Sequence, residues 1–386
     1  MRYRVNPEVG AEVAALGGST LTKCFNCGNC SAVCALSQGE VAFPRKIIRY
    51  LQLGLEDRLM ESTEPWLCYY CGECSKTCPR EAEPGELMMA TRRWLTTRYD
   101  LTGVSKRLYR SEAWEIAALA VVSLVVLAFF VVPRMFNVPF GFPIPAEALQ
   151  HGVNLHLFAP KEYVHVGDLT LAALLFLFLG MNTLRMFLRV RSVEGVTAPL
   201  SLWVGKAYEI LVHGVTQKRW RDCGDDKREW LKHFLLVTGY ATMLLLVVVF
   251  LPWFQRENAE FHWTALFGYY GTVMLLAVTL LAFQARLRKT EQIHKHSHFT
   301  DWTFLILLFF TAVTGIALHL FRLMDLALPT YVLYVAHLMI AVPMLVVEVP
   351  FGKWQHLSFR PMAQYVAAVH DAARERQARA TPAVAA

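Results

Sequence analysis

The chain has 386 residues, 55% of them hydrophobic and 18% charged, with a formal net charge of +7. That apolar fraction excludes an ordinary soluble globular protein, and the length allows two or three domains. The positive charge calls for no nucleic-acid partner, because much of it sits beside apolar stretches, where lysines and arginines meet anionic headgroups, and no basic-aromatic nucleic-acid module is present.

The first 110 residues are mixed and polar and hold eight of the nine cysteines. Cys24-Cys27-Cys30-Cys34 (CFNCGNCSAVC) and Cys68-Cys71-Cys74-Cys78 (CYYCGECSKTCP) repeat one spacing, C-x2-C-x2-C-x3-C, the bacterial ferredoxin pattern for [4Fe–4S] clusters. Three thiolates two residues apart wrap one face of a cubane, and the fourth of each run is handed to the other cluster. The expected ligand sets are Cys24, Cys27, Cys30 and Cys78 for the first cluster and Cys68, Cys71, Cys74 and Cys34 for the second, with iron as the metal throughout. Pro79 completes the pattern in the second run, where the first run has Ala35. Zinc ribbons supply four ligands as two pairs rather than four cysteines in each of two runs. Disulfides belong to secreted chains, and no secretory signal precedes this thiol-rich segment, so residues 1–110 read as a cytoplasmic ferredoxin-like domain.

Beyond residue 110, six apolar stretches near 114–133, 164–188, 233–252, 263–283, 302–321 and 331–350 can each cross a hydrocarbon core of about 30 Å as a helix. Arg92, Arg93, Arg98, Lys106, Arg107 and Arg110 precede the first. The second-to-third connection is basic through Arg189, Arg191, Lys206, Lys218, Arg219 and Arg221, and the fourth-to-fifth through Arg286, Arg288, Lys289 and Lys295. The alternate loops are nearly bare, which predicts that both termini and the cluster domain lie in the cytoplasm. The expected fold is mainly α: an N-terminal α-helical ferredoxin-type domain with two [4Fe–4S] clusters, then a six-helix transmembrane haem b bundle over 111–365. A cytoplasmic tail, 366–386, is Ala-rich and charged and is expected to fray at its end. Residues 201–215 (SLWVGKAYEILVHGV) suit a short helix, lying on the membrane surface or packed on protein.

Ligand-capable side chains at membrane level are functional candidates, and axial histidines hold b-type haem between helices. His233 opens the third span and His356 follows the sixth, so these form the expected inner pair. His337 lies in the sixth span toward the outer face, and its partner for an outer haem is His165 or His319. His337 and His356 are 19 residues apart, which would leave them roughly 100° apart around one ideal helix; Pro343 and Pro350 lie between them and could redirect one side chain. Weaker candidates are the HKHSH tract (His294, His296, His298), read as a solvated loop, Cys223, read as a plain reduced thiol, and His213, which could line a quinone site but has no carboxylate partner fixed by spacing.

The cluster runs resemble the C-type iron–sulfur protein of heterodisulfide reductase. The remainder is similar to the haem-binding membrane component of respiratory nitrate reductase, from His337 through PFGKWQHLSFRP and in KRWRDCGDDKREWLKHFLLVTGY with His233. The fusion of the two resembles the C-type membrane component of quinone-interacting membrane-bound oxidoreductases, the Qmo complex. Met243 stands where the nitrate reductase component has a further haem histidine. The resemblance implies two haems b and electron exchange between quinone (menaquinone or ubiquinone) and flavin/iron–sulfur partners resembling Qmo A and B. Through these it implies service to adenylylsulfate reductase in dissimilatory sulfur metabolism, in the respiratory chain of a prokaryotic inner membrane. An iron–sulfur membrane anchor without haem is the rival expectation. No catalytic triad, P-loop or dinucleotide fingerprint is visible.

Overall fold

The computed structural model describes residues 4–37, 42–150, 152–192, 196–221, 227–254 and 256–380, which are helical with no strand among them. Cys223 and the last six residues lie outside the described residues.

The cluster domain is organised on the helix Pro84–Tyr99. Proline at its first position costs no hydrogen bond, because that N–H has no intrahelical partner. Nearly every face of this helix is covered: Leu87, Met88, Trp94, Leu95 and Tyr99 are buried together with Arg92 and Arg93. Around it pack Val9–Val13, Arg45–Gln52, Glu56–Met60, Glu64–Leu67, Glu73–Lys76 and Val104–Arg110.

Six helices are long and apolar enough to cross a membrane: Glu112–Met135, Lys161–Val190, Arg228–Val248, Ala265–Arg288, Phe299–Leu323 and Ala327–Phe351. The third packs on the fourth, the fourth on the fifth, the fifth on the sixth and the sixth on the first, while the second lies against the end of the sixth. The third span begins at Arg228 and stops at Val248, earlier at both ends than hydropathy implies. A separate short helix, Leu251–Phe254, follows it; Pro252, lacking an N–H, disfavours continuing the helix begun upstream. The sixth starts at Ala327, so His337 sits ten residues in, about 15 Å along the axis.

After Pro343 the sixth span passes through a π-helical turn, Met344–Glu348, and ends at Gly352, whose extended backbone stops the helix. A 3₁₀ turn, Lys353–Gln355, leads into a new helix, His356–Ala380. His337 and His356 therefore lie on different helices, and the ideal-helix angle between them does not apply. The tail after Tyr365 is helical to Ala380, and the end expected to fray lies outside the described residues. This closing helix buries Phe359, Ala363, Val366, Val369, His370 and Ala373, and it joins one apolar core with Ile47, Trp66, Leu87, Tyr99 and, from the second span, Met186 and Val190. The segment 201–215 is two helices, Leu200–Gly205 and Tyr208–Thr216. Trp203 meets Tyr365 of the closing helix at 5.6 Å, while Leu200, Val204, Leu211 and Val215 remain exposed, so the segment is packed on protein along one face and apolar on the other.

Candidate functional site

The two cysteine runs fold alike because each places a left-handed residue at the same two positions. Asn26 and Tyr70 have φ of 61° and 58°, Gly28 and Gly72 have φ of 90° and 84°, and each glycine leads into a one-turn helix, Asn29–Ala32 or Glu73–Lys76. At the second position glycine carries no steric cost. The thiols sort across the runs. Those acting on Cys30 are Cys24, Cys27 and Cys78, while Cys34 is acted on by Cys68 and Cys71 of the other run. Burial, then the neighbouring thiols, pushes Cys34 up to about 11 and Cys74 higher still. Thiolates in such a place need positive charge among them, which iron supplies. Among the described residues no three His, Cys, Asp or Glu side chains converge on a single ion, as a tetrahedral zinc site requires. A cubane instead takes each thiolate at a different corner, and the two quartets fit that donor arrangement.

A cavity between the cluster domain and the spans is lined by Tyr69, Tyr70, Arg92, His233, Lys353 and His356. His233 and His356 face one another across it, ring centres 6.4 Å apart. Two imidazoles bonded through Nε2 to one iron at about 2 Å place their ring centres roughly 6 Å apart. Each ring already uses Nδ1: His233 toward Gln217 Oε1 and His356 toward the Lys353 carbonyl, both at 2.7 Å. This is the arrangement that fixes a ligating ring and leaves Nε2 to the metal. The 3₁₀ turn after Gly352 is what leaves the Lys353 carbonyl to the ring. Burial drives His356 down to about 3, so it stays the neutral base a ligand must be. The pair fits an axial haem site.

Trp220 joins this site to the second cysteine run, 4.4 Å from His233 and stacked on Tyr69 at 5.5 Å. Arg92 and Arg360 both donate to the carbonyl of Cys68. Arg360, one turn beyond His356, also lies over the Tyr69 ring at 4.6 Å. Below them runs a buried ion chain: Tyr70 hydroxyl to Glu86 at 2.9 Å, Glu86 to Arg93 at 2.8 Å, Arg93 to Asp301 at 3.3 Å, and Asp301 to Lys353 at 2.6 Å.

The histidines expected at the outer level do not form a comparable pair. His337 Nδ1 meets Thr314 Oγ1 at 2.9 Å, and its ring lies against Gly315, where a side chain would crowd it at 3.3 Å. Both nitrogens of His319 are engaged, Nε2 by the Tyr269 hydroxyl at 2.8 Å and Nδ1 by Arg322 at 3.4 Å. His165 Nδ1 is buried without a hydrogen-bond partner. Among the described residues no second imidazole is set against His337 as His356 is against His233. Met243 fills the space at Gly271 of the fourth span.

The HKHSH tract is exposed over residues 295–297, as a solvated loop would be, but it is anchored at both sides. His296 approaches Glu83 of the cluster domain at 3.8 Å, Gln292 bonds the same carboxylate at 2.6 Å, and His298 caps the fifth span. His213 does have a carboxylate partner, Glu209 at 3.1 Å; their four-residue spacing was a readable helical pair. Gln217, Trp220, Arg92, Asp301 and Lys353 were missed, and only the Arg92-Arg93 doublet between Leu87, Met88 and Trp94, Leu95 gave a signal.

Comparison with known proteins bears on the cysteine-rich region. Residues 20–82 match the 4Fe-4S dicluster domain. The chain is 38% identical over 88 residues to a protein of Archaeoglobus profundus that is similar to the C component of heterodisulfide reductase, 22% of this chain and 47% of that one. It is 32% identical over 79 residues to the C component of the H(2):CoB-CoM heterodisulfide,ferredoxin reductase of Methanothermobacter thermautotrophicus, 20% of this chain and 43% of that one. It is 36% identical over 69 residues to the iron-sulfur C component of the CoB–CoM heterodisulfide reductase of Methanopyrus kandleri, 18% of this chain and 36% of that one. The chain thus spans less than half the length of each. No solved structure matches it. A 4Fe-4S dicluster region homologous to the C components of heterodisulfide reductases is here joined in one chain to six helices long and apolar enough to cross a membrane.

Proposed function

We propose that the chain is the membrane electron-transfer subunit of a quinone oxidoreductase complex. It passes electrons between quinone and flavin/iron–sulfur partner proteins resembling Qmo A and B, and through them to or from adenylylsulfate reductase. Haem b and [4Fe–4S] groups, when bound, supply one-electron storage; the chain supplies position and tuning. Cys24, Cys27, Cys30 and Cys78 hold one cluster, and Cys34, Cys68, Cys71 and Cys74 the other. His233 and His356 present Nε2 to an inner haem, with Gln217 and the Lys353 carbonyl fixing their rings. Trp220 and Tyr69 fill the gap between that haem and the second cluster loop and exclude water from it. His337, with His165, holds an outer haem. The cluster domain and both termini lie in the cytoplasm, a reading supported by the basic connections. The fourth-to-fifth connection is also the one whose Gln292 touches the cluster domain.

The observation that carries this reading is the imidazole pair at 6.4 Å with both Nδ1 atoms engaged. A variant with the inner haem alone is favoured by the outer level, where His337 faces Thr314 and Gly315 rather than a second ring. A dithionite-reduced minus oxidised spectrum of the purified chain, with haem and iron quantified, tests both. Two haems per chain, one lost in His356→Ala and the other in His337→Ala, is the expected result. One haem, lost only in His356→Ala, leaves the inner site alone. No haem at all sinks the proposal and leaves an iron–sulfur membrane anchor.

A further inference from the structure

Arg92 and Arg93 are neighbours on the helix Pro84–Tyr99 and both are buried, 9% and 5% exposed. Their partners differ. Arg93 is matched by two carboxylates, Glu86 at 2.8 Å and Asp301 at 3.3 Å. Arg92 has no carboxylate partner among the described residues: Nε donates to the Pro65 carbonyl at 2.5 Å, Nη1 faces Met89 Sδ at 3.4 Å, and Nη2 donates to the Cys68 carbonyl. Arg360 donates to that same carbonyl, and its charge acts against that of Arg92. The acidic group first among those acting on Arg92 is the Cys68 thiol. A buried charge is costly unless paired, and carbonyl oxygens alone bring no net negative charge.

We propose that Arg92 is the counter-charge of the cluster held by Cys68, Cys71, Cys74 and Cys34, and that it makes this cluster the more easily reduced of the two. The inference rests on the reading that the two cysteine quartets hold clusters. Reduction adds one electron and one negative charge to a cluster, and a fixed positive charge in a poorly screened interior favours that state. The other quartet has no such group among the described residues. Arg45 lies against its turn at Gly28 but is exposed, where water and salt screen it. Backbone N–H bonds to ligand sulfur point the same way: Tyr70 N–H donates to Cys68 Sγ at 3.4 Å and the Leu36 and Ser37 N–H groups act on Cys34, against Ala82 N–H on Cys78 Sγ at 3.4 Å in the other quartet, so the Arg92 variants are what isolate the charge. The easily reduced cluster then lies beside the His233–His356 cavity, where electrons crossing between domains come to rest.

The test is a potentiometric titration of the full cluster-loaded chain followed by electron paramagnetic resonance, with Cys71→Ser and Cys27→Ser assigning the signals. The signal altered by Cys71→Ser is expected to titrate at the higher potential. Arg92→Gln should make that cluster about tenfold harder to reduce, a shift of about 59 mV for one electron, leave the other unmoved, and be largely reversed in Arg92→Lys. A reversed order in the unmodified protein overturns the proposal even if Arg92→Gln does not fold. So does an Arg92→Gln shift of neither cluster, or of both equally. Iron sufficient for fewer than two clusters overturns it together with the ligand reading beneath it.

Discussion

A single proton decides whether His298 can do its structural work. Its Nδ1 accepts from the backbone N–H of Thr300 at the start of the fifth span, and Asp301 completes the capping box by accepting from the His298 backbone N–H. Only a neutral ring can accept at Nδ1. Burial, with the Arg93 charge beside it, pulls His298 down to about 4. Between the unfolded value near 6.5 and about 4 the unfolded chain binds a proton that the folded chain refuses, so stability falls as pH drops through that window. Thermal midpoints at pH 7.5 and pH 5 should therefore differ more in the parent than in His298→Asn, which keeps an acceptor at the cap without titrating. At this scale the eight cysteines were legible because ligand spacing is local in the chain. The proximity of His233 and His356 was legible because both lie at span ends on one level. Gln217 was not, since nothing in its neighbourhood marks it as the partner of a ring 16 residues on.

Helix existence followed from hydropathy, while helix ends followed from packing and backbone chemistry. The sixth span and the closing helix illustrate the difference. Pro343 and Pro350 marked a disturbance, yet the break falls at Gly352, and that position frees the Lys353 carbonyl to orient His356. After Tyr365 the closing helix reads in sequence as a tail because it is charged and Ala-rich. Its apolar residues are nonetheless the lid of the cluster-domain core: Phe359 is fully buried, with its ring edge-on to Trp66 at 4.9 Å and to Tyr99 at 5.6 Å. Phe359→Ala should cost about 3–5 kcal/mol and loosen the cluster domain from the spans. Limited proteolysis near residue 110 reads that loosening; an unchanged digestion rate would show that the helix does not hold the domain.

The two parts of the molecule are fastened by charge buried where they meet. Asp301, in the first turn of the fifth span, is 5% exposed and balances Arg93 of the cluster domain and Lys353 after the sixth span. Asp301→Asn leaves half-buried Lys353 without its carboxylate and buried Arg93 with Glu86 alone, and should destabilise the chain by about 3 kcal/mol, as when one partner of a buried pair is removed. Adding Lys353→Met should return part of that loss in the same melting experiment, because the surplus charge is removed. None of this coupling could be read from one-dimensional order, since Arg93 and Asp301 are 208 residues apart. The sequence by itself determined the two cysteine runs, the six apolar helices and the basic connections, because each is a local pattern of spacing or hydropathy. Only the tertiary structure decided that His233 faces His356, that His319 is already engaged, and that Arg92 is left with the Cys68 loop as its counterpart. Each of those depends on which side chains burial brings together, and burial is set by the packing of helices far apart in the chain.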